Sequence, residues 1–442
     1  MTCSMWPKIP ALVAAAVLLA GCGPKETPVE APARPVRAAP TTPATASAPQ
    51  QPAQPQELTK GNAQQDWPAF RGPNADGMAT FTGINKAWTQ RAPRRLWRFG
   101  LGDKGYAGPS VAQGMVFIID HKGDKDIVRA LNLQTGKAVW QYAYADTSSH
   151  NYGFARATPT YSEGRLYTLS RLGLLHCLEA SSGRMIWSRN LVSEFGGKRP
   201  QWDYAASPLV DGSKLIVCPG GQTGIAALDK TSGQTLWTGG VGGLAGYATP
   251  VLATLNGRKQ YVVFAGQALY GADADSGRTL WQTPWKTNYD VNAATPIVAE
   301  GYVFVTSGYS VGCGLFEIVS SRAKPVWANK DLQSHFNSPI YCGGYLYGIG
   351  DPGNLVCINP SGGAVIWRQS GFEKGGLVYV DGTLIAMDGK GGDVVMVAAN
   401  ASSYQELGRF RPLGGQSWTA PIAAQGKLLI RNTQTLACFD LM

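Results

Sequence analysis

The sequence predicts an all-β chain folded as a single eight-bladed β-propeller with four-stranded antiparallel blades, and three observations carry that prediction. First, a Ser-Gly or Thr-Gly turn pair is followed four residues later by tryptophan, as in Thr135-Gly136-Lys137-Ala138-Val139-Trp140. Clean copies end at Trp140, Trp187, Trp237 and Trp281, weaker ones at Trp327 and Trp367, with Trp97 opening the series and Phe410 in the same slot near the end. These aromatics recur about every 45 residues, the length of a four-stranded blade. Second, a small residue followed by proline introduces a strand seven times: Gly108-Pro109, Thr158-Pro159, Ser207-Pro208, Thr249-Pro250, Thr295-Pro296, Ser338-Pro339 and Ala420-Pro421. Proline suits a first strand residue, where no ladder donor is required. Third, the last period stops after Asp440 with no fourth strand, whereas Arg95-Leu96-Trp97-Arg98-Phe99 is a fourth strand with no blade before it. The N-terminal strand therefore closes the ring.

Taken in chain order, residues 11–20 form an apolar run of signal-peptide length, too short to span a bilayer, and lead into Leu19-Ala20-Gly21-Cys22. Residues 1–21 are expected to be a lipoprotein signal peptide. Residues 22–65, rich in Pro, Ala, Thr and Gln, hold too few large apolar groups to pack and read as an extended spacer. Residues 66–94 form a lead segment, and residues 95–442 the propeller. One period reads strand A, a glycine turn such as Gly114, strand B, a loop, strand C, the Ser/Thr-Gly turn, and strand D ending at tryptophan. Trp97, Trp140, Trp187, Trp237, Trp281, Trp327 and Trp367 are expected to dock each blade on its neighbour, buried between sheets. Burying about 150 to 250 Å² of indole is worth roughly 4 to 6 kcal/mol of gross transfer energy.

Composition fits one large β body: 442 residues with 55 glycines, 18 tyrosines, 13 tryptophans and 15% charged residues. Cys177, Cys357 and Cys438 share one strand C position and read as buried thiols rather than disulfides. No Cys-x-x-Cys-His haem site and no zinc spacing occurs. The net charge of +10 suits anionic lipid or wall polymer; no nucleic-acid motif accompanies it.

The repeat of strand C, Ser/Thr-Gly turn and tryptophan resembles the docking repeat of the pyrroloquinoline-quinone (PQQ) propeller superfamily, over residues 97–442. Asp66-Trp67-Pro68-Ala69-Phe70-Arg71-Gly72-Pro73 resembles the lead of bacterial PQQ-like repeat proteins, and Leu-Ala-Gly-Cys the lipoprotein box, in which Cys22 is acylated. That resemblance implies a lipid-anchored protein of the bacterial envelope, with Gly23 after the cysteine favouring the outer membrane facing the periplasm. Three functional classes follow. Quinoprotein dehydrogenases hold PQQ and a metal ion over the axis with a vicinal disulfide and a catalytic aspartate, whereas this chain has no adjacent cysteine pair. The lipoprotein propeller of the outer-membrane β-barrel assembly machine keeps the fold without a quinone. A glycan or peptide hydrolase finds no paired carboxylates of recognisable spacing. A non-catalytic binding or interaction scaffold is therefore expected, monomeric, with no cofactor, no metal and no catalytic residue, and with an envelope protein or small ligand as partner; PQQ with calcium is the alternative.

The two longest D-to-A loops, residues 141–156 and 188–204, concentrate aromatic and cationic groups. Tyr152, Phe154, Arg156, Lys198, Arg199, Trp202, Asp203 and Tyr204, with His335 from a later loop, are assigned to a ligand- or partner-binding face. The opposite face, carrying the short glycine turns, is expected to be bare. Asp120-His121-Lys122-Gly123-Asp124-Lys125-Asp126 departs from the calcium-loop spacing and reads as a solvated hairpin. His176 is expected on a blade surface.

Overall fold

A computed structural model describes residues 63–149 and 152–442. The expected signal peptide, the lipidation residue Cys22 and nearly all of the spacer lie outside those residues, as do His150 and Asn151. Eight four-stranded sheets follow one another around a ring. Blade one consists of Ser110–Ala112, Met115–Lys122, Lys125–Asn132 and Ala138–Ala145, and blade two of Thr160–Ser162, Arg165–Leu169, Leu174–Glu179 and Met185–Asn190. Blades three to seven repeat the pattern from Leu209 to Phe410. Blade eight takes Ile422–Ala424, Lys427–Arg431 and Thr435–Asp440 from the C-terminus and Arg95–Gly100 from the N-terminal side, paired Trp97 to Cys438 and Phe99 to Leu436. The ring closes as the missing fourth strand required. One short helix, Leu191–Phe195, was not foreseen; Asn190 caps it by accepting from the backbone N–H groups of Val192 and Ser193.

Local chemistry sets each hairpin. Gln113-Gly114, Glu163-Gly164, Asn256-Gly257, Glu300-Gly301, Gly343-Gly344, Asp381-Gly382 and Gln425-Gly426 all have positive φ at both positions, the two-residue turn whose twist matches antiparallel strands. At the C-to-D turns an Asn or Asp side chain folds back on the chain: Asp229 Oδ1 accepts from the N–H groups of Thr231 and Ser232.

The docking tryptophans reach across to the next blade, landing on the glycine of its turn. Trp97 Nε1 donates to Leu133 O at 2.8 Å and Trp140 Nε1 to Ala180 O at 2.9 Å. A Cβ added to Gly136 would lie 2.6 Å from the Trp97 ring, and one on Gly363 2.6 Å from Trp327. Each Gly-to-Trp motif is thus two half-interfaces: its glycine receives the preceding tryptophan, and its own tryptophan goes to the following blade. Blade five breaks the pattern because Ser320-Ser321 replaces the glycine turn, and Trp281 bonds Gln260 Oε1 within its own blade at 2.6 Å.

Uniform burial of these indoles is corrected. Trp97, Trp140, Trp281 and Trp367 are buried, but Trp187, Trp237 and Trp327 are only partly so. The Trp187 bond to Lys230 O is long at 3.3 Å, and the Trp237 N–H has no acceptor among the described residues. Replacing Trp140 by alanine is expected to cost about 3 to 5 kcal/mol in urea unfolding, and Trp187 or the loop residue Trp202 clearly less. Equal losses at all three would refute the docking role.

A belt of hydrogen bonds explains why Ser or Thr so often precedes the strand A proline. Ser207 Oγ accepts from Thr158 N, Thr249 Oγ1 from Ser207 N, and Ser338 Oγ from Thr295 N, at 2.8 to 2.9 Å, tying adjacent blades around the channel.

The turn face is not bare. The lead crosses it along the innermost strands: Trp67 pairs with Val111 of blade one, Tyr161 N donates to Pro68 O, and Met78 pairs with Tyr379 of blade seven. Arg71 is buried and donates to Ala75 O, Asp76 O and Pro339 O of blade six. Trp88 then meets Phe410 edge to face at 5.2 Å, filling the slot that blade eight, having no C-to-D turn, leaves beside that aromatic. Trp67, Phe81, Ile84 and Trp88 share one core with blades one, seven and eight.

Candidate binding site

The lead floors the axial channel and turns it into a cup of about 380 Å³, open on the face of the D-to-A loops. Trp67, Phe70 and Arg71 form the floor, and all eight blades contribute wall. The lining follows a rule in the sequence: Tyr106, Arg156, Ala205, Tyr247, Ala293, Phe336 and Trp418 each stand three residues before a strand A proline, and all seven line the cup. Strand A is innermost, so that position is carried to the axis in these seven blades; blade seven, where Gly375-Gly376 precedes strand A, lacks the proline and contributes Lys374 and Leu377 instead.

Around the mouth the rings touch in series. Tyr106 stacks on Trp418 at 5.4 Å, Trp418 meets Phe336 at 5.3 Å, and Phe336 meets His335 at 6.1 Å. His335 continues to Tyr309 at 4.7 Å, Tyr309 to Tyr289 at 5.7 Å, Tyr289 to Trp202 at 5.4 Å, and Trp202 to Tyr152 at 6.2 Å. Lys374 lies 5.5 Å over the Trp418 ring. Arg156 holds the rim by donating to Trp202 O at 2.7 Å and Gly153 O at 3.0 Å. Tyr152 and Tyr289 are more than half exposed, so aromatic surface is offered to a partner.

Of the sequence-assigned face, the structure brings Tyr152, Arg156, Trp202 and His335 together at this cup. His335 Nε2 pairs with Asp351 at 2.8 Å, a partner the sequence did not single out. The assignments of Tyr204, Asp203 and Phe154 are corrected. Tyr204 is buried and donates to Pro219 O at 2.6 Å. Asp203 is buried in ion pairs with Arg171 and Arg199, at 2.7 and 3.2 Å. Phe154 stacks on His121 at 3.5 Å beneath the surface. Lys198 and Arg199 are exposed but lie outside the lining. One loop carries both kinds of residue because the backbone turns at Asp203, whose φ is 64°, leaving Trp202 at the rim and Asp203 and Tyr204 buried. Tyr106, Tyr247, Tyr289, Tyr309, Phe336, Lys374 and Trp418 were missed; the spacing from proline was the available signal for Tyr106, Tyr247, Phe336 and Trp418, and no spacing marked the other three.

The presumed solvated hairpin is also corrected. His121 and Asp126 are buried, as are Asp120 and Asp146. Strand B and strand C of blade one run as far as Lys122 and Lys125; the tip from Lys122 to Lys125 is exposed, as expected, and burial begins one residue inside it on each strand. Arg171 of blade two binds Asp146 through Nε and Nη2 at 2.7 and 2.8 Å. Burial, with Asp146 nearby, pushes the Asp126 carboxyl up to about 7. His176 is likewise buried, not on a blade surface, and burial holds its imidazole down to about 4. Cys177, Cys357 and Cys438 are buried free thiols.

Residues 124–369 match the model of a family described as outer membrane protein assembly factor BamB. The chain belongs to that family. It is 24% identical over 386 residues to the outer membrane protein assembly factor BamB of Yersinia pestis, covering 80% of this chain and 91% of the relative. It is 24% identical over 326 residues to the quinoprotein alcohol dehydrogenase PedH of Pseudomonas putida, covering 70% of this chain and 47% of that enzyme. Among solved structures, BamB from Moraxella catarrhalis superposes with a TM-score of 0.57 at 20% identity, over 79% of this chain and 99% of that one. That likeness speaks for the fold.

Proposed function

We propose that this chain is a lipid-anchored, non-catalytic propeller of the bacterial envelope that holds a partner protein on the face carrying the aromatic cup. The aromatic rim carries the reading: rings already packed against one another lose little freedom on binding, and exposed Tyr and Trp with nearby Arg and Lys are the groups that dominate protein interfaces. The lining of the cup includes Arg156 and Lys374 and no carboxylate, and Asp351 at the rim is paired with His335; this suits an apolar segment bearing acidic groups. Family membership and relatives named as outer-membrane assembly factors support an envelope assembly role. Leu19-Ala20-Gly21-Cys22 supports the anchor, with Cys22 as its attachment point.

The quinone reading does not fit the cup. A calcium ion beside a quinone needs oxygen anions, and the lining offers none; its polar groups are Arg71, Arg156, Lys374, His335 and neutral side chains. The chain matches only 47% of the quinoprotein relative.

Photoreactive residues at Tyr152 and Trp202, compared with one at the exposed turn residue Lys137, test the face in cells. Specific adducts are expected from the first two sites only. Adducts confined to Lys137 would move the interface to the turn face, and dye-linked oxidation of an alcohol with added PQQ and calcium would replace the scaffold by an enzyme.

A further inference from the structure

Blade one carries a polar cluster that the binding face does not use. His121 and Asp126 are cross-strand partners near the strand B to strand C hairpin, and Asp146 follows strand D of the same sheet. One ligand atom from each lies within 4.8 Å of the others, and all three residues are buried. Asp126 is fully buried, and neither of its carboxylate oxygens has a hydrogen-bond donor among the described residues. The Tyr144 hydroxyl, across the sheet on strand D, influences that carboxylate without meeting hydrogen-bond geometry. Even a full Tyr144 bond would serve one oxygen only.

The surroundings do not neutralise Asp126. Asp120 is paired with Arg129 at 2.9 Å, Asp146 with Arg171, and Asp203 with Arg171 and Arg199. A buried carboxylate left over from such a network is costly unless a cation or a proton joins it. The imidazole points to a cation. His121 Nδ1 lies 3.0 Å from Asp103 Oδ2, which fixes the proton on that nitrogen in the neutral ring. Nε2 then turns a lone pair toward the Asp146 carbonyl, 3.3 Å away, so two acceptors face one another. A metal ion bound to Nε2 removes that conflict.

We infer that His121, Asp126 and Asp146 form a divalent transition-metal site inside blade one, facing blade two. One imidazole and two carboxylates are a nitrogen and oxygen donor set that suits zinc better than calcium, which prefers six to eight oxygens. Metal-ligand lengths of about 2.1 Å put tetrahedral ligand atoms about 3.4 Å apart, so the cluster contracts by at most about 1.4 Å on binding. Asp146 Oδ1 already accepts from Arg171 Nη2 and Ser148 Oγ, whereas Oδ2, which accepts from Arg171 Nε at 2.7 Å, keeps a second lone pair for the ion. Held there, the metal would brace the root of the loop that carries Tyr152 to the rim.

The test uses the full chain, stripped with a chelator and titrated with zinc chloride by calorimetry, with calcium chloride in parallel. One zinc per chain is expected, raising the thermal midpoint by a few degrees at saturation. Asp126→Asn, which is isosteric and removes an unpaired charge, should keep its melting without zinc and lose zinc affinity at least about 100-fold. His121→Gln should lose it similarly, and Asp103→Asn, which frees the ring, about 10- to 100-fold. Absence of stoichiometric zinc in the wild-type chain, or binding unchanged in Asp126→Asn and His121→Gln, overturns the site. Calcium bound more tightly than zinc overturns the assignment of the donor set.

Discussion

Deleting Arg95–Gly100 is expected to abolish the folded propeller rather than to trim one strand from it. The segment supplies the outer strand of blade eight and the Trp97 ring that sits on Gly136 of blade one, with its N–H on Leu133 O at 2.8 Å. Without it, Thr435–Asp440 becomes an open edge, and the face between blades eight and one, part of the largest core, meets water. Every other blade relies on a closed ring to cover its faces, so the loss spreads. Gel filtration and thermal melting of a chain lacking these six residues should show aggregation or no cooperative transition. A chain of residues 101–442 co-expressed with a separate fragment of residues 63–100 should assemble into a soluble complex, because the closing strand is held by pairing and not by its peptide link. Wild-type melting of the deleted chain would disprove closure by this strand.

Arg171→Met should cost about 3 to 5 kcal/mol, the largest effect expected from one substitution at a charged position. The guanidinium is buried, grips both Asp146 oxygens, reaches Asp203 at 2.7 Å and donates to Ser148 Oγ at 2.9 Å. It also lies 5.2 Å over the Phe154 ring. Methionine fills the stem's volume but leaves two buried carboxylates short of their strongest partner, and Arg199 meets only Asp203. Urea unfolding reads the loss. A double variant, Arg171→Met with Asp146→Asn, should recover part of it, because removing the second charge removes most of the penalty. A single variant within about 1 kcal/mol of wild type would show that the network contributes little.

These two sites differ in how far the sequence disclosed them. The closing strand was legible because a propeller period is rigid: a missing strand D after Asp440 and a spare one at Trp97 admit one solution. Arg171 was not, since it stands in the short turn between strands B and C of blade two, and its partners lie 25 and 32 residues away along the chain. The same limit explains the divided fate of the predicted face. Composition marked the loop of residues 188–204 as aromatic and charged, but only folding decided that Trp202 turns to the rim while Asp203 and Tyr204 turn inward.

By itself the sequence determined everything that repeats: the blade period, the glycine turns, the order of strands and the closure of the ring, because each depends on contacts within one period or between neighbouring ones. Even the cup wall obeys the period, through the residue three before each strand A proline. Only the tertiary structure decided what happens once per molecule. The lead folds across the turn face and floors the channel, Trp88 fills the slot beside Phe410, Ser320-Ser321 turns Trp281 back on its own blade, and His121, Asp126 and Asp146 meet inside blade one. Such contacts join segments with no fixed separation along the chain, so no spacing rule announces them, and the balance of burial against charge that places them exists only when the blades are assembled.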